Sequence, residues 1–542
     1  MANYQNNKMR KGSSIHHGKA HAKEHSAWSR RSFIKSLGLA GGGSMMLGNI
    51  PVFAAAESLF SKSLAKLDGD RILVLIRLKG GNDGLNTIVP VFDYDTYAIN
   101  RPTLAIPENQ LFSLSDDFGM PDYMNPLESM WGDGQMKVIH GVGYPDQSLS
   151  HFRSADIWAS ASGADEAIDS GWLGRHFENE YPDFITEPPE FPPAIQIGSL
   201  GNQIFDGNDG SSYSFSVANP EQLFEIAQNG WLHDAQNIPD CFYGEQVGFM
   251  RGIANATFLY ANVINDAYTS STNDVEYDDM HLSNQLALVA RMIKGGMQTK
   301  VYMVTLDGFD THAEQIEGQP YLLTDVANAV KNFYDDLAAT GMDDKVLSMT
   351  FSEFGRRVEQ NASDGTDHGS SAPVMMFGPS LNGNGFIGEH PDMSDLDEDG
   401  NMHHSTDFRQ IYATVLQDWL CLDPAIVDEL LLDESFVRLD LGLECQATSV
   451  FEATQSNFKH NALYASDGEI YVVYELPGET HVNIQLFNVL GQPVSKLIDS
   501  RQFAGEHRVA IRANSGNLSN GQYIYRIVVN GKPYSKSVSI VR

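Results

Sequence analysis

The sequence predicts an α/β protein with a doubly wound sheet that carries helices on both faces, followed by a small C-terminal β-sandwich. Up to about residue 445, continuous apolar runs typical of buried strands alternate with amphipathic helical patterns. Beyond about residue 458, the pattern changes to short strands of alternating polarity. The chain has 542 residues, which is long enough for more than one domain.

Five segments are predicted to be strands, several of them apolar on both faces as buried parallel strands are. They are residues 72–76, 137–141, 301–306, 346–351 and 373–377. Three further segments place apolar residues on one helical face. These faces are Leu282, Leu286, Val289 and Ile293; then Val326, Val330, Phe333 and Leu337 behind the candidate N-cap Thr324; then Phe408, Ile411, Tyr412, Val415 and Trp419 behind Thr406 and Asp407. Residues 180–280 are interpreted as an insertion or cap on a domain spanning residues 57–445.

The first 56 residues resemble a twin-arginine export signal. Arg30 and Arg31 in SRRSFIK precede a Gly-rich, mildly apolar stretch that ends in the small residues Ala54 to Ala56. The stretch is too short and too Gly-interrupted for a transmembrane anchor, which is the alternative interpretation. The resemblance implies passage through the twin-arginine translocase, a pathway that carries folded and often metal-loaded proteins. A histidine tract in this leader is predicted to be removed with it.

The formal net charge of −34 excludes nucleic acid and anionic lipid as natural partners. Such a surface suits an exported protein, secreted or displayed at the cell surface after transit through the periplasm, that binds divalent cations. Cys241, Cys421 and Cys445 are the cysteines of the chain, so at most one disulfide within the chain is expected. No segment after the leader is long and apolar enough to span a bilayer, so no membrane span is expected in the mature protein.

The tail at residues 458–542, after a linker at 446–457, closely resembles the C-terminal type A sorting domain of the type IX secretion system. The strings that carry the resemblance are IQLFNVLGQPVSKL and NLSNGQYIYRIVVNGKPYSKSVSIV. It implies the type IX secretion machinery as a partner in transit, and release or attachment at the cell surface. The alternative is an ordinary carbohydrate-binding or adhesion module.

Acidic and histidine side chains follow the predicted strands, or precede the last one, at one edge of the sheet. They are Asp83, Asp307, Asp310, His312, Glu353, Asp367 and His368. Open α/β sheets bind ligands at the carboxyl ends of their strands. Carboxylates and imidazoles together suit one or two divalent metals, with zinc, calcium and magnesium all left open. Taken singly, each acid is as well explained as a helix N-cap and each histidine as a surface group.

A candidate nucleophile lies in YPDQSLSHFRSADIW, after the second predicted strand. Ser148 or Ser150 would attack phosphorus or sulfur if a metal lowered its hydroxyl pKa. His151 and Arg153 are close enough in sequence to neutralise an anionic group. The alternative is that Ser150 only caps the helix that follows, and the two roles are compatible because a helix N-terminus also favours anions.

Six strings between about residues 70 and 440 resemble the bacterial exported family known as domain of unknown function 1501. They are GGNDGLNT, SLSHFRSADIW, GWLGRHFE, TLDGFDTH, FSEFGRR and GTDHGSSAPVMMFGP. That family is assigned to the alkaline phosphatase and sulfatase superfamily. The resemblance therefore implies an alkaline-phosphatase-like sheet and a metal-activated Ser, Thr or formylglycine nucleophile.

The resemblance also implies roles by chain order. Asp83 matches the first metal-binding aspartate, and Ser150 or Ser148 matches the nucleophile. Asp307 and His312 match an Asp-x-x-x-His pair, although one extra residue separates them. His368 matches the last histidine of the superfamily.

The remaining position departs from the superfamily pattern, because Glu353 and Phe354 stand where an Asp-His pair is expected. A complete two-zinc centre is not expected for that reason. A competing registration makes Asp367 and His368 the Asp-His pair and takes His403 or His404 as the final histidine.

The string DLDEDGNM follows the first half of a calcium-binding loop, with Asp395, Asp397, Asp399 and Gly400 at the expected spacing. Thr406 stands at the twelfth position, where a bidentate Glu is usual. A solvated acidic loop is the other interpretation.

Together these patterns predict an exported, metal-dependent hydrolase-like protein acting on a phosphate or sulfate ester. The predicted metal ligands are Asp83, Asp307, His312, Glu353 and His368, and the predicted catalytic residues are Ser150, Ser148 and Arg153 as an anion clamp. The alternative is a non-catalytic cell-surface protein that binds a glycan or a partner protein with the same fold.

Overall fold

The computed structural model describes residues 70–182, 184, 188–198, 201–217, 220–233, 242–381 and 385–445, with tail segments 460–464, 470–476, 480–488, 493–511, 521–529 and 532–540. The predicted leader, the whole predicted linker and Cys241 lie outside the described residues. The strands of the main part are β1 Ile72–Lys79, β2 Val89–Pro90, β3 Leu111–Ser113, β4 Phe118–Pro121, β5 Met136–Gly143, β6 Ala194–Ile197, β7 Ser214–Val217, β8 Val301–Asp307, β9 Val346–Phe351, β10 Gly355–Gln360, β11 Thr366–Gly369, β12 Ala372–Phe377, β13 Phe386–Ile387 and β14 Thr406–Asp407. The α-helices are α1 Tyr94–Asn100, α2 Glu128–Gly132, α3 His151–Ser160, α4 Trp172–Glu180, α5 Pro220–Asn229, α6 Phe242–Ser270, α7 His281–Lys294, α8 Gln315–Ala338, α9 Phe408–Thr414 and α10 Pro424–Leu430.

A mixed sheet forms the centre of the main domain, in the order β13-β5-β12-β9-β1-β8-β6-β7, with β14 paired to β5. Strand β1 runs parallel to both β8 and β9. Strand β12 runs antiparallel to β5 and β9. The start of β12 therefore lies at the same edge as the carboxyl ends of β1, β5, β8 and β9, and this edge carries the candidate site.

The sheet is covered by helices on both faces, as predicted for a doubly wound α/β fold. Ile72, Val74 and Ile76 of β1 belong to one buried cluster together with apolar residues of α7 and α8. Leu73 and Leu75 belong to a second cluster together with residues of α3, α4 and α9. Because successive strand residues point to opposite faces, this division places one apolar core on each side of the sheet.

The five predicted strands are confirmed as β1, β5, β8, β9 and β12, with boundaries that agree within three residues. The helices predicted around Leu282 and Phe408 are also confirmed. Asp407 caps α9 with a full capping box in which Gln410 bonds back to the Asp407 backbone. After α9 the chain continues as a π-helical turn over Val415–Trp419.

The predicted start of α8 at Thr324 is wrong, because the helix begins nine residues earlier at Gln315 and runs through Pro320. Thr324 lies inside the helix, where its hydroxyl donates to the Pro320 carbonyl. Leu322 and Leu323 are buried, so tertiary packing continues the helix through a residue that usually interrupts one. The earlier start brings Gln315 to the edge of the candidate site.

Within residues 180–280, β6 and β7 extend the central sheet beyond β8, and α5 and α6 follow them. Among the described residues, no helix combines the length and the apolar character needed to cross a membrane. A disulfide joins Cys421 to Cys445, and Arg71 at the start of β1 donates to the Glu444 carbonyl beside it.

The tail folds into two small antiparallel sheets, as its alternating pattern predicts. The strands are β15 His460–Tyr464, β16 Ile470–Leu476, β17 Thr480–Asn488, β18 Pro493–Gln502, β19 Gly505–Ile511, β20 Gly521–Val529 and β21 Lys532–Ile540. The sheets have the orders β15-β16-β19 and β18-β17-β20-β21. One buried cluster contains Val472 of the first sheet and Ile484 and Ile527 of the second, so the two sheets pack as a sandwich.

Candidate metal centre

Three parts of the chain meet at the carboxyl edge of the sheet and form the candidate centre. The loop after β8 carries Asp310 and His312, and α3 begins at His151. The hairpin of β10 and β11 pairs Arg356 with His368. Arg356 and His368 both reach Asp310, so the hairpin register aligns a guanidinium and an imidazole on one carboxylate.

Two glycines, Gly80 and Gly365, allow neighbouring loops to approach the loop that carries Asp310 and His312. Gly80 follows β1 with φ at +124°, a conformation that favours glycine, and a Cβ there would lie 2.3 Å from the Asp310 backbone nitrogen. A Cβ on Gly365 would lie 2.3 Å from the carbonyl carbon of His312. The positions of Asp310 and His312 therefore depend on two residues that have no side chain.

The side chains of His151, Asp310 and His368 each offer one ligand atom, and these atoms lie within 4.8 Å of one another. His151 Nε2 is 3.4 Å from Asp310 Oδ2, and His368 Nε2 is 3.2 Å from Asp310 Oδ1. His151 Nε2 is buried without a hydrogen-bond partner. Two imidazoles and a carboxylate are a donor set that suits zinc and other first-row divalent metals.

His312 adjoins this group and brings a carboxylate of its own. Its Nε2 is 2.9 Å from His368 Nε2 and 3.3 Å from Asp310 Oδ1. Its Nδ1 is 3.0 Å from Asp367 Oδ1. An imidazole that contacts a carboxylate with one nitrogen and a ligand group with the other is the usual outer-shell arrangement of metal-binding histidines.

Hydrogen bonding fixes which nitrogens carry protons. His368 Nδ1 lies 2.9 Å from the Leu149 carbonyl, which can only accept, so Nδ1 is the donor. The same reasoning makes His312 Nδ1 the donor to Asp367. In the neutral imidazoles, both Nε2 atoms then present lone pairs to each other and to the Asp310 carboxylate. Three facing acceptors require a proton or a cation between them, and ligand atoms about 2.0–2.2 Å from one ion lie about 3 Å apart.

The charge state of the group favours a cation over a proton. Burial raises the pKa of Asp310, but the hydrogen bond from Arg356 and the contact with His368 outweigh it and lower the pKa to about 2. Burial also lowers the pKa of His368 below its usual value, although the contact with Asp310 opposes this. A carboxylate and a neutral imidazole are the forms that bind metal.

Phe354 forms one wall of the centre. Its ring centroid is 4.8 Å from that of His151 and 4.5 Å from that of His368. Phe354 is buried, and a Cβ on Gly81 would lie 2.6 Å from its ring. This position therefore supplies an apolar wall instead of a ligand atom.

Two predicted metal ligands have carboxylates that are already bonded elsewhere. Asp83 is buried in an ion pair with Arg101, at 2.5 Å, and also accepts from Gln315. Glu353 accepts from Arg77 at 2.6 Å and from the Gly80 backbone at 2.9 Å. Neither carboxylate joins the histidine group, so of the five predicted ligands the structure brings together only His312 and His368.

Asp307 and Arg153 also point elsewhere. The Asp307 side chain is 65% exposed and pairs with Lys79 on the neighbouring strand. Arg153 donates to the carbonyls of Gly163, Ala164 and Glu166, beyond the other end of its helix. Its guanidinium is therefore committed to holding a loop and does not face the histidine group.

Ser150 is the N-cap residue of α3, immediately before His151, and its exposed side chain makes no capping hydrogen bond. Ser148 is half-buried, and its hydroxyl accepts from the Ser150 backbone at 3.4 Å. A free hydroxyl at the N-terminus of a ten-residue helix, next to a candidate ligand, is chemically available.

The ligands that sequence reasoning left out of its predicted set are Asp310 and His151. Both were noted beside predicted residues, Asp310 two positions before His312 and His151 next to Ser150. Both residues are identified as ligands only by their position next to His368 in the folded protein. His368 lies 58 residues after Asp310 in the chain.

The acidic turn and the alternative histidines lie outside the centre. Asp397 accepts from the backbones of Asp399 and Asn401, and a bridge between Leu396 and Met402 closes the turn. Within the described part of the chain, neither these acids nor His403 and His404 belong to a group of three metal-binding side chains.

Replacing Asp367 with Asn is expected to weaken metal binding by about 10- to 100-fold, because the amide no longer holds the His312 proton on Nδ1 as a carboxylate does. Zinc competition against a chromophoric chelator measures this. Asp364→Asn, an exposed acid in the turn before β11, is the matched control and should leave the affinity unchanged. An unchanged affinity for Asp367→Asn would remove His312 from the centre.

The fold and this site define an α/β protein with a candidate divalent-metal centre at the carboxyl edge of its main sheet. Residues 261–426 match the sequence model of a family described as "Protein of unknown function (DUF1501)". The matched segment contains Asp310, His312 and His368. No curated protein matches the chain.

Three solved structures are similar to this chain at low sequence identity. A protein in the alkaline phosphatase superfamily from Vibrio parahaemolyticus is 9% identical, with a TM-score of 0.30, over 82% of this chain and 84% of that chain. A sulfatase from a Pseudoalteromonas species is 9% identical, with a TM-score of 0.31, over 84% and 88%. A phosphonate monoester hydrolase from Silicibacter pomeroyi is 9% identical, with a TM-score of 0.28, over 82% and 90%.

Proposed function

We propose that this protein is an exported, metal-dependent hydrolase that acts on phosphate or sulfate esters, with one divalent cation held by His151, Asp310 and His368. The observation that carries the proposal is the convergence of the imidazole nitrogens of His151, His312 and His368 on the Asp310 carboxylate. His312 completes the group, oriented by Asp367.

Ser150 is the nucleophile in this proposal. Its free hydroxyl lies at the start of α3, where backbone N–H groups favour an anionic ester. The serine oxygen forms a bond to phosphorus or sulfur while the bond to the alcohol breaks and the alcohol leaves with a proton; water then cleaves the serine ester. The bound cation supplies charge neutralisation and lowers the pKa of the attacking hydroxyl.

The centre supports one cation and not two. Asp83 and Glu353, which would serve a second ion, are neutralised by Arg101 and Arg77. Phe354 occupies the wall between His151 and His368. Phe354, which stands where a ligand would be expected, also favours a second candidate function. In that alternative, the protein binds a glycan or a partner protein at the cell surface without turnover.

Export is the remaining part of the proposal, through the twin-arginine translocase and the type IX secretion machinery. The Cys421–Cys445 disulfide supports it, because disulfides persist in oxidising compartments and are rare in the cytoplasm. The strongly acidic composition also suits a surface or secreted protein.

The test is hydrolysis of aryl phosphates and aryl sulfates by protein produced with its leader, together with metal analysis. Ser150→Ala is expected to lower kcat/KM by roughly 1,000-fold or more while the metal content stays at one per chain, because only the nucleophile is removed. Ser148→Ala is the matched control and should retain most of the activity. Bound metal without turnover on any ester would favour the binding protein, and folded protein without metal would refute both the ion and the mechanism.

A further inference from the structure

A second histidine pair lies outside the metal centre, in a small cavity of about 20 Å3 between β5, the start of β12 and the loop around residue 390. The polar residues that line the cavity include His140, His390 and Ser371, and Met402 lines it as well. None of these residues contacts Asp310 or His368 in the hydrogen bonds and ion pairs of the candidate centre.

His140 is the unexplained group in this cavity. Its side chain is 3% exposed, and its Nε2 is buried without a hydrogen-bond partner. The hydroxyl of Ser371, 1% exposed, is also without a partner. Buried polar atoms in proteins are normally hydrogen-bonded, so two atoms without a partner in one cavity point to a ligand site.

The two imidazoles lie next to each other in this cavity. Their ring centroids are 5.4 Å apart, with the planes at 72°. His390 Nδ1 lies 2.8 Å from the Pro391 carbonyl, so Nδ1 donates and Nε2 carries the lone pair. Two imidazoles bound through nitrogen at about 2.0–2.1 Å from one ion place their ring centres about 5–6 Å apart.

Both histidines are neutral, which leaves a lone pair on each. Burial, with a smaller contribution from the nearby His390, lowers the pKa of His140 to about 3. Burial also lowers the pKa of His390. Phe386 stacks on His140 with centroids 4.9 Å apart, and Phe118 lies 4.6 Å away, so the surroundings are apolar.

The side chains that line the cavity favour one kind of metal ion over others. No carboxylate is among the described residues that line the cavity, which disfavours calcium and magnesium. Imidazoles with a thioether nearby suit copper(I). A single positive charge is also less costly than a double one to bury where no counter-charge is available.

We propose that His140 and His390, with Met402 beside them, form a copper(I) site that is separate from the hydrolytic centre. The inference does not depend on the proposed function, since it uses none of the same side chains. The protein would therefore bind a second metal ion, which is a soft one.

The experiment is an anaerobic titration of the full-length protein with copper(I) in competition with bicinchoninate. It is made in a His151→Asn, His368→Asn background, so that the first centre cannot take the copper. Adding His140→Phe is expected to lower the copper bound by one ion per chain. Phe is chosen because it can keep the stacking on Phe386.

His390→Gln is the second variant and should lose the same ion, which keeps the proposal falsifiable if His140→Phe does not fold. His403→Asn, an exposed histidine next to Met402, is the matched control and should retain it. Copper bound equally with and without both cavity histidines would overturn the proposal. So would a folded parent protein that binds no copper there, which would mean that the cavity holds water only.

Discussion

Replacing Asp310 with Asn is expected to abolish metal binding and ester hydrolysis together. Asp310 is the carboxylate on which His151, His312 and His368 converge. Asn keeps the size of the side chain, and its carbonyl still accepts from Arg356, so the loop after β8 should keep its position. Because the variant removes a direct ligand, the loss of affinity should exceed the roughly 10- to 100-fold expected for the outer partner Asp367.

Metal content by elemental analysis and kcat/KM on an aryl phosphate measure this effect on the same preparation. Asp307→Asn is the matched control, since Asp307 lies three residues earlier and pairs with Lys79 at the surface. It should keep both the metal and the activity. If Asp307→Asn lost the metal and Asp310→Asn retained it, the ligand set argued from the geometry would be refuted in favour of the set predicted from chain order.

Replacing Asp83 with Ala is expected to lower the free energy of unfolding by about 3–5 kcal/mol, because Arg101 would be left buried and unpaired. Arg101 Nη1 donates to Asp83 at 2.5 Å and its other nitrogens donate to the carbonyls of Val358 and Arg357. The pair therefore joins the loop after β1 to the β10–β11 hairpin. Urea unfolding followed by tryptophan fluorescence measures the change.

The double variant Asp83→Asn, Arg101→Met separates a structural role from a metal-binding one. It removes both charges at once, so most of the lost stability should return, and the folded protein should still bind one metal ion per chain. A variant that recovers stability but has lost the ion would restore Asp83 to the metal centre. Full stability in Asp83→Ala alone would contradict the buried ion pair.

Local sequence patterns were sufficient to predict the five main strands, because an apolar segment on both faces can be satisfied only inside a covered sheet. They were not sufficient to place the start of α8. Gly318 and Pro320 usually interrupt a helix, yet the packing of Leu322 and Leu323 carries the helix through them. That extension places Gln315 where it bonds both Asp83 and Thr366 of β11.

The sequence predicted that acids and histidines would gather at one sheet edge, and His312 and His368 do meet there. It could not separate ligands from ion-pair partners. Asp83 and Asp310 both follow strands in Gly-rich loops. Both aspartates pair with an arginine, but Asp83 is buried with Arg101, while Asp310 is half-exposed and is also reached by three histidines.

By itself, the sequence predicted the five main strands, the short alternating strands of the tail and the sheet edge at which acids and histidines meet. These follow from short-range periodicity, which each segment carries independently of the rest. Only the tertiary structure decided which carboxylates remain available to a metal. That choice depends on contacts between residues far apart in the chain, such as His151 with Asp310, and on glycines that let one loop approach another.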